Sequence, residues 1–132
     1  MIKQIVLDTN FLLIPGEFNV DIFSEIERIC SFNYSLVVLD VVMGELDKLI
    51  EKGGKEKKNS KLALTLINQK NVNIVKSIDS GISVDDVIVG YAQKNQCVVA
   101  TQDLGLAGKL KLSKIPRILL RKKQFLVIET FK

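Results

Sequence analysis

The stretch IVLDTN, residues 5–10, decides how the rest of the chain is interpreted. Its apolar residues 5–7 form a run typical of a strand buried on both faces. Asp8 follows that run directly, although a carboxylate at the end of a buried strand is costly without a role. Asp8 is therefore either the N-cap of a short helix that begins near Thr9 or a functional residue at the carboxyl edge of a parallel sheet, where such folds bind ligands.

Apolar runs and helical patterns alternate along the remaining sequence. Short runs rich in Val, Ile and Leu predict strands, and apolar residues spaced three and four apart predict helices between them. This alternation indicates an α/β fold, a three-layer α/β/α sandwich with a central, mainly parallel sheet. Pro15 and Pro116 are expected in turns. The predicted strands are Lys3–Leu7, Leu36–Leu39, Val72–Val75, Cys97–Ala100, Arg117–Leu120 and Leu126–Ile128, and the predicted helices cover 20–30, 41–52, 58–70, 84–92 and 104–110.

The composition excludes several classes of protein. At 132 residues and 47% apolar content, the chain fits one ordinary globular domain. Asp8 interrupts the only apolar run near the N-terminus, and no run approaches the ~18 residues of a membrane span, so we expect a cytoplasmic protein. Cys30 and Cys97 are expected to be buried, reduced thiols. The absence of histidine excludes most zinc sites and all serine–histidine triads.

The net charge of +4 hides an asymmetry between the two parts of the chain. Residues 1–47 carry a net charge of −6, and residues 48–132 carry +10. A basic second part indicates an anionic partner such as nucleic acid, although solvated surface lysines would give the same balance. Segment 51–61 is expected to be either a mobile loop at the site mouth or a solvated connection. The candidate phosphate contacts are Lys109, Lys111, Lys114, Arg117, Arg121, Lys122 and Lys123, and, in a second cluster, Lys48, Lys52, Lys55, Lys57, Lys58 and Lys61.

Glu45 is the most informative acidic residue. On a helical wheel it falls inside an apolar arc, between Val41 and Leu49, whereas Asp47 and Lys48 are expected on the other side. A carboxylate inside a buried stripe is costly unless something compensates it. The alternative is a glutamate at the edge of the stripe that reaches water or pairs with a lysine.

Three more acidic residues lie near strand ends or helix starts. Asp103 follows the apolar run 97–101, where Thr101 is expected to form a hydrogen bond near it, and helix capping is the alternative role. Asp85 and Asp86 open a helix, and Ser83 stands at the capping-box spacing that gives Asp86 a structural role. Asp85 is then free to face the strand ends. Asp40, after another strand, is expected to be a structural N-cap.

Carboxylates that converge repel one another by roughly 3 kcal/mol at ~5 Å and an effective dielectric constant of ~20. Raised pKa values can relieve that repulsion, as in a proton-sharing pair, and so can a divalent cation. Ligand sets that contain only oxygen favour Mg²⁺ or Mn²⁺. Because Mg²⁺ commonly bridges carboxylates to substrate phosphates, the second solution indicates phosphate chemistry.

Four motifs in order resemble the PIN-domain nucleases: VLDTN (6–10), VVMGELDKL (41–49), VDDVIVGYA (84–92) and VVATQD (98–103). Gaps of 37, 40 and 18 residues separate their acids, and the resemblance runs from about residue 3 to residue 128. The tail IPRILLRKKQFL is similar to the ribosomal-RNA-processing branch and its single-domain archaeal relatives. VapC-type toxins form a second branch nearby.

The resemblance implies a single PIN-like domain over residues 1–132, with the activity of an Mg²⁺- or Mn²⁺-dependent endoribonuclease that leaves 5′-phosphate and 3′-hydroxyl ends. It implies RNA as partner, in RNA processing or as the toxin of a toxin–antitoxin pair. The protein partners to expect are a second copy of the chain in a homodimer, an antitoxin or a ribosome-assembly protein. No association with a membrane is expected. The implied catalytic and metal-binding residues are Asp8, Glu45, Asp85 and Asp103, with Asp86, Asn10 and Thr101 as auxiliary residues.

Two other classes of function stay open from the sequence. The same fold can hold RNA without cleaving it. Phosphoryl-transfer domains also place aspartates at strand ends, but the DTN of residues 8–10 lacks the DxD that aspartyl phosphatases need. The chain contains neither GxxxxGK[ST] nor GxGxxG, so nucleotide hydrolysis has little support.

Overall fold

The computed structural model describes residues 2–77 and 82–131. All six predicted strands are present, with ends shifted by at most two residues. The strands are β1 (Lys3–Leu7), β2 (Tyr34–Leu39), β3 (Asn73–Val75), β4 (Val98–Ala100), β5 (Arg117–Arg121) and β6 (Phe125–Glu129). The helices are α1 (Thr9–Leu12), α2 (Ile14–Phe18), α3 (Ile22–Ile29), α4 (Asp40–Lys52), α5 (Lys55–Gln69), α6 (Val84–Asn95) and α7 (Leu104–Leu112).

The six strands form one sheet in the order β3-β2-β1-β4-β5-β6. The first five are parallel, and β6 alone runs antiparallel, beside β5. Because crossovers between parallel strands are right-handed, the connections through α1–α5 cover one face of the sheet, and α6 and α7 cover the other. The mainly parallel α/β fold predicted from the sequence is confirmed.

The central strand β1 explains why the chain folds around residues 5–7. Ile5, Val6 and Leu7 are completely buried, as expected for a strand with helices on both faces. The chain leaves β1 to build β2 and β3 on one side, and later returns to build β4 on the other. The strand order therefore reverses beside β1, and Asp8 lies at that point.

Two sequence predictions about turns were wrong. Pro15 lies inside α2, at one of its first two positions, where a missing backbone N–H breaks no intrahelical bond. Segment 51–61 is not a long loop, because α4 continues to Lys52 and α5 begins at Lys55. The connection is Gly53–Gly54, with φ angles of 84° and 78° and ψ angles of −170° and −155°. This backbone region is essentially restricted to glycine.

Among the helices of the described residues, none combines the length and the apolar character needed to cross a membrane.

A polar clamp joins α3 to the edge strand β6. The Glu25 carboxylate accepts hydrogen bonds from the Leu126 backbone N–H at 2.9 Å and from the Arg28 guanidinium at 2.9 Å. Arg28 in turn donates to the Leu126 carbonyl at 3.1 Å. The bond from Arg28 and then the bond from the Leu126 amide lower the pKa of Glu25 to about 2. The clamp thus connects parts of the chain about one hundred residues apart.

We expect Glu25→Ala to lower the free energy of unfolding by about 1–3 kcal/mol at pH 7, because charged hydrogen bonds are lost at a partly buried site. A carboxyl group with a lowered folded-state pKa stabilises the fold above its ordinary value of 4.5, and this contribution is lost as the pH falls toward about 2. Urea unfolding at pH 7 and pH 3 should therefore show a smaller difference between variant and wild type at pH 3. Glu27→Ala, on the exposed side of the same helix, is the matched control.

Candidate active site

Asp8 has the structural role that the sequence left open, and it also lines the candidate site. It is the N-cap of α1, and its Oδ1 accepts a hydrogen bond from the Thr9 backbone N–H at 2.8 Å. Its Oδ2 accepts one from the Thr101 hydroxyl, also at 2.8 Å. The residue is only 4% exposed. A carboxylate held in this way has a fixed orientation, and both oxygens already have a partner.

Thr101 links two acidic residues of different motifs. It is fully buried just past β4, and β4 pairs in parallel with β1, so its hydroxyl lies beside Asp8. The same Oγ1 accepts a hydrogen bond from the Asp103 backbone N–H at 3.0 Å. Asp103 is the N-cap of α7, with Oδ1 accepting from the Gly105 N–H at 2.8 Å. One hydroxyl therefore sets the positions of both strand-end aspartates.

Glu45 faces the same site from α4. Its side chain is half-buried, as the wheel predicted, and the fully buried neighbours on its helix are Val42 and Leu46. The Thr9 hydroxyl donates a hydrogen bond to Glu45 Oε1. Sequence reasoning assigned no role to this threonine, although its position between two candidate residues was a usable signal.

The tandem acids Asp85 and Asp86 have different environments. Asp85 lines the pocket that contains Asp8. Asp86 is exposed; its backbone N–H donates to Ser83 Oγ at 3.2 Å, and its carboxylate accepts a hydrogen bond from Lys109 Nζ at 3.1 Å. The Ser83 cap expected from the sequence is present. Asp40 is structural but is not the N-cap, which is Leu39. It is the first residue of α4 and accepts hydrogen bonds from the backbone N–H and the hydroxyl of Ser77 at 3.0 and 2.7 Å.

The four motif acids border one open pocket of about 340 Å³ at the carboxyl ends of the parallel strands. Lys48 also lines this pocket, so its expected orientation away from the site was wrong. At 100° per residue, Lys48 is only about 60° from Glu45 around the helix axis, whereas Asp47 is about 160° away. The pocket is lined by Asp8, Thr9, Asn10, Glu45, Lys48, Leu49, Asp85 and Asp103.

Burial and mutual repulsion raise the pKa values of two acids of the pocket, Asp8 and Asp85. Burial, with smaller repulsions from Asp85 and Glu45, raises the pKa of Asp8 to about 6, against the lowering effect of its bonds to Thr101 and Thr9. Burial and then repulsion from Asp103 raise the pKa of Asp85. In contrast, the hydrogen bond from Lys109 lowers the pKa of Asp86. The pocket therefore favours binding of positive charge.

A hard divalent cation fits this set of side chains. The ligands on offer are carboxylate oxygens, the donors that hard cations prefer. Burial raises the pKa of two of these residues, Asp8 and Asp85, so a bound cation would offset the cost of their buried charge. Within residues 2–77 and 82–131, no three acidic, histidine or cysteine side chains converge tightly enough to form a ready-made ligand set. Mg²⁺ needs only one or two direct carboxylates, because it retains water and binds substrate phosphates. A direct four-carboxylate ligand set stays a prediction.

The predicted nucleic-acid contacts do not all lie near this pocket. Lys114 lines a separate cavity with Lys3 and Pro116, at the amino ends of the parallel strands, and so faces away from the acids. Arg117 is largely buried against Glu129, at 2.7 Å, and the Ala107 carbonyl, at 2.7 Å, so it has a structural role. The structure therefore does not bring these two residues to the pocket, and their roles as phosphate contacts stay predictions.

The other basic candidates are exposed. Lys109 binds Asp86 at the rim of the pocket, and Arg121 lies 3.4 Å from Glu129. Lys55 and Lys58 line a groove next to the pocket. Their roles in binding stay predictions, as do those of Lys57, Lys111 and Lys122, which are also exposed.

Comparison with known proteins agrees with this geometry. The chain is 34% identical over 129 residues to ribonuclease VapC4 of Methanocaldococcus jannaschii, covering 95% of both chains. It is 30% identical over 116 residues to the rRNA-processing protein FCF1 of Saccharomyces cerevisiae, covering 87% of this chain and 57% of that protein. The solved structure of the PIN domain endonuclease Utp24 superimposes with a TM-score of 0.77 over 97% of this chain and 92% of that one, at 24% identity. The sequence model described as PIN like domain matches residues 5–123, and the chain therefore belongs to the PIN-like domain family.

Proposed function

We propose that residues 1–132 form a single PIN-like domain that acts as a divalent-metal-dependent endoribonuclease. The observation that carries the proposal is the pocket at the strand-order reversal, where acids from four separate parts of the chain meet. Asp8, Glu45, Asp85 and Asp103 are the proposed ligands of Mg²⁺ or Mn²⁺. When bound, such an ion makes water nucleophilic near neutral pH and stabilises charge on the phosphate.

The chain's own residues position the reacting groups. Thr101 fixes Asp8 and the backbone of Asp103, and Thr9 holds Glu45. With no histidine in the sequence, a carboxylate of the pocket is the candidate to accept the proton of the attacking water. Lys48 supplies positive charge on the side of the pocket formed by α4, where it can bind a non-bridging phosphate oxygen.

RNA is the proposed substrate because the two curated relatives are named as a ribonuclease and an rRNA-processing protein. The two biological settings are RNA processing, with a ribosome-assembly partner, and a toxin–antitoxin pair, with an antitoxin partner. The chain is similar both to a VapC-named ribonuclease, at 34% identity, and to an rRNA-processing protein, at 30%, so both settings stay proposals. A homodimer stays a prediction. We place the activity in the cytoplasm, a reducing compartment that suits the free cysteines Cys30 and Cys97.

Metal removal tests the proposal directly. We expect the purified chain to cleave RNA internally with Mn²⁺ or Mg²⁺, to lose this activity in EDTA and to regain it when excess metal is added. End mapping of structured and unstructured RNAs should give 5′-phosphate and 3′-hydroxyl products. Cleavage that persists in EDTA, or products with cyclic phosphate ends, would contradict the proposal. An Asp8→Asn preparation run in parallel detects contaminating nucleases.

We expect Lys48→Ala to lower kcat by about 10- to 100-fold with a smaller change in KM, because Lys48 stabilises charge that develops on the phosphate. This is below the roughly 10²- to 10³-fold effect of an enclosed oxyanion donor, since Lys48 is exposed to solvent. Lys52→Ala removes the same charge one turn further along α4, outside the pocket, and should leave kcat unchanged. Equal effects of the two variants in steady-state cleavage assays would argue for a general charge effect.

A further inference from the structure

A second groove opens beside the catalytic pocket. It lies between α2 and the beginning of α5 and has a volume of about 670 Å³, within the range of about 300–1,000 Å³ of sites that bind small organic ligands. Asn10 lines both this groove and the catalytic pocket. A polymer with one phosphate at the acids can therefore continue into the groove past Asn10.

Two asparagine side chains line the groove. Within the described residues, the side chains of Asn10 and Asn59 form no hydrogen bond, and both line the groove. Asn59 lies directly against Gly16 of α2, because a Cβ atom added at Gly16 would meet the Asn59 Oδ1 at 2.3 Å. The glycine thus provides the space that the amide occupies. A side-chain amide offers a donor and an acceptor together, the pattern that pairs with the edge of a nucleobase.

The rest of the groove suits a nucleotide better than a plain phosphate chain. Phe18 provides an aromatic ring, and Lys123 Nζ lies 5.6 Å from the centre of that ring. Lys55 and Lys58 provide positive charge from the first turn of α5. Glu17 and Glu56 also line the groove, so its charge is mixed. A uniformly basic groove would bind RNA without regard to sequence, whereas amides, acids and an aromatic ring together favour recognition of a base.

We propose that this groove binds a nucleotide adjacent to the scissile phosphate and that Asn10 and Asn59 recognise its base. Lys55 and Lys58 bind the phosphate of that nucleotide. The inference rests on the proposed nuclease function and adds that the enzyme selects its cleavage site by sequence. The recognised base belongs to the single-stranded RNA that flanks the cut.

The test compares wild type, Asn59→Ala and Asn68→Ala. Asn68 is an exposed asparagine of the same helix that lines a different cavity, so its variant is the matched control. Sequencing the cleavage products of a randomised single-stranded RNA should show a preference of about five-fold or more for one base next to the cut. We expect Asn59→Ala to abolish that preference and Asn68→Ala to keep it. Asn59→Asp, which changes the donor to an acceptor, should shift the preferred base.

A second measurement separates this inference from the nuclease proposal. The binding of fluorescent A, C, G and U oligonucleotides to the Asp8→Asn protein, with and without Asn59→Ala, requires no cleavage. In one outcome, the wild type never cleaves RNA while the Asp8→Asn protein still binds one base selectively through Asn59. That result would support the groove proposal and overturn the nuclease proposal. Cleavage with no base preference, or with a preference unchanged in Asn59→Ala, would overturn the groove and leave the nuclease intact.

Discussion

Asp8→Asn should abolish RNA cleavage, with a loss of about 10³-fold or more in kcat, while the protein stays folded. The substitution keeps the shape of the side chain and its cap on the Thr9 N–H, but removes the charge proposed to hold the cation. Metal ions contribute several kcal/mol of charge stabilisation in such reactions, and each 1.36 kcal/mol corresponds to a tenfold change in rate. Single-turnover cleavage at saturating Mn²⁺ measures the effect, and circular dichroism checks the fold.

The same variant should be more stable than the wild type when no metal is present. Because the pKa of Asp8 is raised from 3.8 to about 6 in the folded protein, the folded state binds more protons than the unfolded state between these values. The contribution of Asp8 to stability therefore falls as the pH rises from about 4 to about 6 and then stays low. The full shift corresponds to about 3 kcal/mol as an upper value.

We therefore expect Asp8→Asn to raise the free energy of unfolding by about 1–3 kcal/mol at pH 8 in EDTA, with most of the gain gone at pH 4. Added Mn²⁺ should stabilise the wild type and not the variant. Urea unfolding at the two pH values measures both effects. Retained cleavage in Asp8→Asn would remove this residue from the reaction, and a variant less stable than the wild type at pH 8 would contradict the electrostatic explanation.

The second large effect is expected at Asp85, with its sequence neighbour as the control. Asp85→Asn should lower kcat by about 100-fold or more, because it removes one of the acids that border the pocket and attract the cation. Asp86→Asn makes the same chemical change one residue away, at an exposed side chain paired with Lys109. Its effect on kcat should stay within a few-fold.

Mn²⁺ titration gives a readout of the same pair that does not depend on turnover. The apparent Mn²⁺ affinity should weaken in Asp85→Asn and remain close to the wild-type value in Asp86→Asn. A larger loss of activity or of metal affinity in Asp86→Asn would exchange the roles of the two residues. Equal, small effects in both variants would exclude either as a principal ligand.

The sequence predicts the central features of this protein because they depend on local pattern and chain order. The buried run before Asp8 forces a central strand, and parallel topology then brings the strand-end residues Thr101 and Asp103 to the same edge. The capping-box spacing after Ser83 also predicts the hydrogen bond that the Asp86 backbone N–H donates to Ser83, whereas Asp85 lines the pocket.

What the sequence could not supply are features that depend on tertiary contacts. Lys48 is an exception, because its angle of about 60° from Glu45 on the helical wheel already places it near the pocket. Lys114 is close to other basic residues in sequence, yet the fold places it at the opposite end of the sheet. Polar composition and two glycines suggested a loop at 51–61. Packing of α5 against α4 and α2 instead favours helix on both sides of Gly53–Gly54.

The junction Gly53–Gly54 connects the proposed catalytic pocket to the groove proposed to recognise a base. It connects the helix that carries Glu45 to the helix that carries Asn59 through a backbone geometry closed to other residues. If the pocket and the groove act as proposed, the length and angles of this junction set the distance between the scissile phosphate and the recognised base. We expect relatives with a longer or shorter connection between these two helices to cut at a different number of nucleotides from the same base. The connection would then act as a molecular ruler.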